Sequence, residues 1–180
     1  MTRRPLVLVG AGGHAKVVIE VARAAGRFDV VGLIDPRPSA PSVLGVPVLG
    51  GDEALPRLRA EGIAWAFVAL GGNAARERIG VGLRAAGFRL ATLTHPSAEV
   101  MPSARVGEGV VVMARVVVSA EARVDDLAIL NTGAVVEHDI RTQVWGKIAV
   151  LADPYGHGFC LVQFLNGGYG EIVEPTQVST

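Results

Sequence analysis

The chain of 180 residues contains one cysteine, Cys160, so no internal disulfide can form. That excludes a small disulfide scaffold and fits a reducing compartment, so the cytoplasm is the expected location. Neither sign of charge is in excess, with 17 Lys plus Arg and 17 Asp plus Glu. Without a basic stripe, neither nucleic acid nor an anionic membrane surface is an expected partner. Half of the residues are hydrophobic, and mean hydropathy is positive at +0.41. Yet no apolar run approaches the ~18 residues that a membrane-spanning helix needs. The opening MTRRPLVLVGAGG sets an Arg pair before an apolar stretch, but that stretch is short for a signal peptide and runs into glycines. Also missing is any set of His, Cys and acidic residues at metal-site spacing, so no metal is expected. What remains is long enough to bury a core and to form one or two domains.

The dominant pattern present is a period of six. From Val100 the chain reads VMPSAR, VGEGVV, VMARVV, VSAEAR, VDDLAI, LNTGAV, VEHDIR. The first place holds Val100, Val106, Val112, Val118, Val124, Leu130 and Val136; the fifth holds Ala104, Val110, Val116, Ala122, Ala128, Ala134 and Ile140. An eighth hexad from Thr94 fits only at Ala98. A helix repeats every 3.6 residues and a plain strand every 2, so neither keeps apolar residues six apart for so long. The pattern predicts a short parallel β-helix over residues 94–141, its aliphatics inward at each corner.

Residues 1–93 alternate between strand and helix signals. LVLV (6–9), DVVGLID (29–35), VPVL (46–49), AWAFVAL (64–70) and FRLATLT (88–94) read as strands. KVVIEVARAAG (16–26) has helical spacing with Gly26 as C-cap, AARERIGVGLRAAG (74–87) is amphipathic, and DEALPRLRAEG (52–62) is a helix that Pro56 makes short or late-starting. PRPSAPS (36–42) is a loop. Such alternation predicts a Rossmann-like α/β domain with a parallel sheet.

Gly10-x-Gly12-x-x-Ala15 follows the first strand and opens the first helix, with Asp35 at the end of the second strand. Glycines let a backbone approach a phosphate, and the helix start presents unpaired N–H groups to it. Asp35 is suited to accept from a ribose hydroxyl or from a base. A tight turn with no ligand fits the same spacing. NAD is disfavoured because the α/β region ends near residue 93, short of two βαβαβ halves; a single nucleotide, such as a nucleotide-sugar, suits the space better.

Gly-Gly-His-Ala in the glycine turn, Asp35, Leu-Gly-Gly-Asn at 70–73, His-Pro-Ser-Ala at 95–98 and Leu-Asn-Thr-Gly-Ala-Val-Val-Glu-His-Asp at 130–139 occur in that order. Over residues 5 to 140 this resembles the hexapeptide-repeat sugar acetyltransferases of the sialic acid O-acetyltransferase and bacillosamine-pathway UDP-amino-sugar N-acetyltransferase type. The resemblance implies a left-handed β-helix and a homotrimer with sites between subunits. It also implies acetyl-CoA as donor and a nucleotide-sugar or sialic-acid-type sugar as acceptor. It places Gly12, Gly13, His14 and Gly71 in contact with substrate, and Asp35 with Pro36 near the uridine. The family often carries a second acid where Pro36 stands. His138 matches the catalytic base and Asp139 the acidic neighbour that strengthens it.

An imidazole titrates near neutrality and can take a proton from an amine or hydroxyl as that group attacks a thioester. Glu137 and Asp139 flank His138, and a carboxylate partner raises its basicity and fixes its tautomer. From spacing alone, a solvent-facing corner histidine between two acids is an equal reading. His95 precedes a proline and is expected to help start the β-helix; His157 lies in a turn sequence.

After Ile140 the hexads stop, where the family continues with further coils. KIAVLA (147–152) and GFCLVQFL (158–165) instead predict a β-hairpin followed by a loose tail, making 142–180 a third region. The stretch from Gly146 to Ile172 resembles the closing strands of the glyoxalase/bleomycin-resistance superfamily. The hairpin is expected to cap the open end of the β-helix. The expected function is transfer of an acetyl group from acetyl-CoA to a sugar amine or hydroxyl. A nucleotide-sugar-binding protein without turnover, or an NAD-binding protein, is the alternative.

Overall fold

The computed structural model describes residues 2–137 in full and, beyond them, the backbone of three strands at 141–143, 146–152 and 158–164. The first half holds β1 (Arg4–Val9), α1 (Gly13–Ala25), β2 (Phe28–Ile34), β3 (Ser42–Val43) and β4 (Val46–Pro47). A 3₁₀ turn (Asp52–Ala54), α2 (Leu55–Ala60), β5 (Trp65–Val68), α3 (Asn73–Ala85) and β6 (Arg89–Leu90) follow. The order β2-β1-β5-β6 makes a four-stranded sheet, parallel throughout.

β1 shows why the continuous apolar run forms a strand here. Its side chains alternate between faces, and both faces are covered. Leu6 and Leu8 join Val18, Ile19 and Ala22 of α1 in one core. Val7 and Val9 join Leu58 of α2 and Leu83 of α3 in the other. The first core runs on without a break into Val110, Val112, Val116 and Val118 of the repeat region. α1 stops at Gly26, whose φ of 68° lets its N–H reach Ala22 O at 3.1 Å. Pro56 sits in the first turn of α2, after the 3₁₀ turn, which accounts for its late start.

Two predicted strands differ from the structure. VPVL does not form a strand of the main sheet. Val46–Pro47 instead pairs antiparallel with Ser42–Val43 around Leu44 and Gly45, both at positive φ, and only a bridge from Val48 to Leu33 touches the sheet. FRLATLT divides in two. Ala91 N–H still donates to Ala66 O of the sheet domain, whereas Leu93 N–H donates to Val110 O of the next rung. The chain changes partners within two residues, which no periodicity of apolar residues reveals.

The repeat region consists of two-residue strands: β7 (Leu93–Thr94), β8 (Glu99–Val100), β9 (Arg105–Val106), β10 (Val111–Val112), β11 (Val117–Val118), β12 (Arg123–Val124), β13 (Ile129–Leu130) and β14 (Val135–Val136). All pair in parallel, and they stack on three faces: β7-β10-β13, β8-β11-β14 and β9-β12. Hydrogen bonds between rungs, such as Glu108 N–H to Asp126 Oδ1, span 18 residues, which is three hexads per rung. First-place Val112 and Val118 are wholly buried, as expected; Val100, on the first rung, is 36% exposed. The fourth place of the hexad turns the corner. Gly109, Arg115, Glu121, Leu127 and Gly133 all have positive φ there.

Three further strands follow: β15 (Arg141–Gln143), β16 (Gly146–Ala152) and β17 (Gly158–Phe164). β16 and β17 form the predicted antiparallel hairpin. β16 also lies antiparallel on β14, with Val135 opposite Ala152 and Val136 opposite Leu151. Parallel stacking therefore ends at β14 on this face. Among the described residues no helix is long and apolar enough to cross a membrane.

Candidate functional site

In a parallel sheet, ligands bind outside the carboxyl ends of strands where adjacent connections leave to opposite faces. Here that point lies between β1 and β5, because α1 covers one face and α3 the other. The Gly10–His14 turn leaves β1 at this point, and the Leu70–Asn73 turn leaves β5 beside it.

The glycines of the first turn divide into two kinds. Gly10 is structural: its φ is 110°, its N–H donates to Ile34 O at 2.8 Å, and a Cβ there would stand 2.8 Å from Ala69 O. It allows the ends of β1 and β5 to meet. Gly12 and Gly13, by contrast, have nothing within 4 Å of where a Cβ would be, and neither have Gly71 and Gly72. Gly12 caps α1 and Gly72 caps α3, each without a side-chain cap, and neither helix has an acid in its first turn. Two helix starts with free N–H groups and open space thus converge on one crevice, an arrangement suited to a polyanion.

Asp35 lies next to this turn but is engaged by the protein. Its Oδ2 accepts from Ala11 N–H and its Oδ1 from Arg37 N–H, both at 2.9 Å. A carboxylate has about four acceptor sites, so each oxygen keeps capacity for one more donor. Pro36 is exposed beside it. His14 stands at the start of α1, half-buried, and its Nε2 is buried without a partner among the described residues. Burial first, and then the positive charge of Arg76, hold its pKa below the ordinary histidine value. The ring is neutral near pH 7 and offers one N–H donor and one lone pair.

Arg76 is the residue that sequence reading missed. It sits in the charged string Arg76-Glu77-Arg78, which looks like a solvated helix face. In the structure it is 7% exposed and hydrogen-bonded by every nitrogen of its guanidinium. The only sequence signal was its place in the helix, three residues after Asn73.

Gly12, Gly13, His14, Asp35 and Gly71 are therefore brought together around one crevice. His138 and Asp139 lie outside the described residues, as does His157; the last fully described residue before them is Glu137, exposed just after β14. His95 is structural as expected: its Nδ1 accepts Ser97 N–H at 3.1 Å and lies 2.8 Å from Ser97 Oγ, closing the first corner of the repeat region. A separate cleft of about 330 Å³ opens at the opposite ends of β1 and β5, lined by Arg4, Phe28, Trp65, Leu90 and Val106 among others. None of the predicted site residues lines it.

Residues 5–81 match the family model described as the PglD N-terminal domain. The perosamine N-acetyltransferase from Caulobacter crescentus, solved with CoA and GDP-perosamine as a variant with one histidine replaced by asparagine, is 52% identical. The match covers 73% of this chain and 61% of that one, with a TM-score of 0.70. The acetyltransferase domain of PglB from Neisseria gonorrhoeae FA1090, solved with acetyl coenzyme A, is 43% identical over 76% of this chain and 66% of that one, again at a TM-score of 0.70. WeeI from Acinetobacter baumannii AYE shares the fold at 16% identity and a TM-score of 0.55, over 77% of this chain and 64% of that one. The chain thus spans about three fifths of the length of the Caulobacter enzyme. The resemblance to hexapeptide-repeat sugar acetyltransferases holds in sequence and in structure.

Proposed function

We propose that the chain is a sugar acetyltransferase that moves an acetyl group from acetyl-CoA to the amino or hydroxyl group of a nucleotide-activated sugar. The observation that carries this reading is the 52% identity to an N-acetyltransferase solved with CoA and GDP-perosamine. The crevice agrees with it. Open glycines and two helix starts suit the diphosphate of a nucleotide-sugar, and neutral His14 suits a polar group of the same ligand. A sugar amine is the first acceptor to test, ahead of a hydroxyl.

His138 acts as general base in this reading, and Asp139 raises its basicity. That the Caulobacter enzyme was solved with one histidine replaced by asparagine, and also by alanine, supports a histidine as the group of interest in this class. The base removes a proton from the amine as nitrogen attacks the thioester carbonyl; the C–S bond then breaks and CoA leaves as the thiol. The three-faced repeat region is assigned as a left-handed parallel β-helix, and a homotrimer would complete the donor site between neighbours.

Purified protein given acetyl-CoA and GDP-perosamine, or a UDP-4-amino-sugar, should release free thiol. His138→Ala should lower the rate by about a hundredfold or more. Activity unchanged in that variant refutes the assignment of the base.

One observation favours a second reading. β16 occupies the edge of β14 where a further parallel rung would stack. A hairpin in the place of later coils would leave a nucleotide-sugar-binding protein without turnover. Calorimetry that finds GDP-sugar binding but no acetyl-CoA binding selects this reading over the first.

A further inference from the structure

Arg76 is the one buried charged side chain among the described residues. Its Nε donates to Leu127 O at 2.6 Å. Its Nη1 donates to Leu70 O at 3.0 Å and to Gly71 O at 2.9 Å, and its Nη2 to Asn73 Oδ1 at 2.8 Å. Three of these acceptors belong to the turn after β5. The fourth lies 51 residues onward, at a corner of the repeat region. All four are neutral, and among the described residues no carboxylate pairs with Arg76.

Withdrawing a guanidinium from water is costly, and neutral acceptors recover only part of that cost. A neutral side chain could hold the turn at smaller cost. The cation leaves a positive potential at the mouth of the crevice, where the α1 and α3 starts already favour an anion. His14 lies within reach of that charge, which adds to the larger effect of burial in holding its pKa down.

The other end of the contact is equally specific. Leu127 has φ of 62°, a left-handed conformation that is strained for a residue with a Cβ. It is kept there by its N–H bond to Glu108 O at 2.8 Å, by its carbonyl bond to Arg76, and by its side chain, which packs into the sheet-domain core with Leu58 and Leu83. Gly80 of α3 leaves the space this side chain fills, since a Cβ there would lie 2.7 Å from Leu127 Cδ1.

We propose that Arg76 is a positioning residue of the acceptor site: its fork ties the Gly71 turn to the corner at Leu127, and its uncompensated charge makes the crevice between β1 and β5 a seat for the diphosphate of a nucleotide ligand. The ligand class rests on the functional reading above; the tie between turn and corner does not. The fork and the charge separate in Arg76→Lys, which keeps the charge but loses the planar fork, and in Arg76→Gln, which loses the charge.

The test uses the full chain and both variants. Hydrogen exchange without ligand should quicken together at residues 70–73 and at 127 in both variants. The His14 imidazole, followed by NMR, should titrate higher in Arg76→Gln and not in Arg76→Lys. Calorimetry with GDP and UDP should show Arg76→Gln weakened about tenfold, guanosine and uridine much less affected, and Arg76→Lys largely restored for the diphosphates. Exchange unchanged at the turn and the corner in both variants overturns the tie. Diphosphate affinity unchanged in folded Arg76→Gln overturns the seat. If Arg76→Gln does not fold, exchange in Arg76→Lys decides the tie and the salt dependence of GDP binding to the wild type decides the seat. Binding of neither diphosphate by the wild type refutes the functional reading and the seat together, while exchange still judges the tie.

Discussion

In the sheet domain a side chain is buried by its strand; in the repeat region it is buried by the rungs on either side. Leu6 and Leu8 are fully covered because α1 crosses one face of a four-stranded sheet. Val112 and Val100 share the same place in the hexad, yet Val112 is wholly buried and Val100 is 36% exposed. Val100 lies on the first rung of its face, with β11 on one side only. The two regions also treat the left-handed backbone differently. At the crevice that geometry falls to Gly10. At the repeat corners the period imposes it on Arg115, Glu121 and Leu127 as well. The crevice satisfies its backbone by choice of residue; the repeat corners override local preference by stacking.

Four substitutions sharpen this contrast. Gly10→Ala combines a positive φ of 110° with an approach of 2.8 Å to the Ala69 carbonyl. It should cost about 3 kcal/mol, read as a shift of the urea midpoint, and an unshifted midpoint would show that the ends of β1 and β5 can separate freely. Val112→Ala removes two methyl groups from between rungs and should cost about 2 kcal/mol, while Val100→Ala should cost well under ~1 kcal/mol. Equal losses at the two valines would mean that burial by neighbouring rungs does not set their contribution. Arg115→Gly should be neutral or stabilising by at most about 1 kcal/mol, because relief of the left-handed strain outweighs the added freedom of the unfolded chain. A clear loss of stability there would assign Arg115 a contact that outweighs its strain.

Much of this was legible in the sequence because both regions carry their packing in a period. The six-residue repeat places Val112, Val118 and Val124 inward, and the structure buries all three. The run LVLV needs both faces covered, and finds them covered. The turn at the crevice was legible too, since glycines between a strand and a helix permit a close turn and an open helix start. The interdomain contacts were not. Arg76 looked like a surface charge because its burial depends on Leu127, which no local pattern connects to it. Likewise the fourth place of the hexad betrays its turn only at Gly109 and Gly133; at Arg115, Glu121 and Leu127 the bulky side chain hides it. Leu49 fills the Cβ-sized gap at Gly32, a contact between a loop and a strand that periodicity also misses.

The reversed direction of β16 on β14 has a consequence for assembly. A bare parallel rung is a template: its free N–H and C=O groups would accept another rung of the same spacing, including one from a second molecule. An antiparallel partner takes those groups with bonds perpendicular to the strand and in alternating spacing, and the evenly spaced, slanted parallel pattern cannot continue across it. On that face β16 works as a chain terminator: the edge of β14 at Val135 and Val136 is taken, so no rung of a second molecule can add to it there.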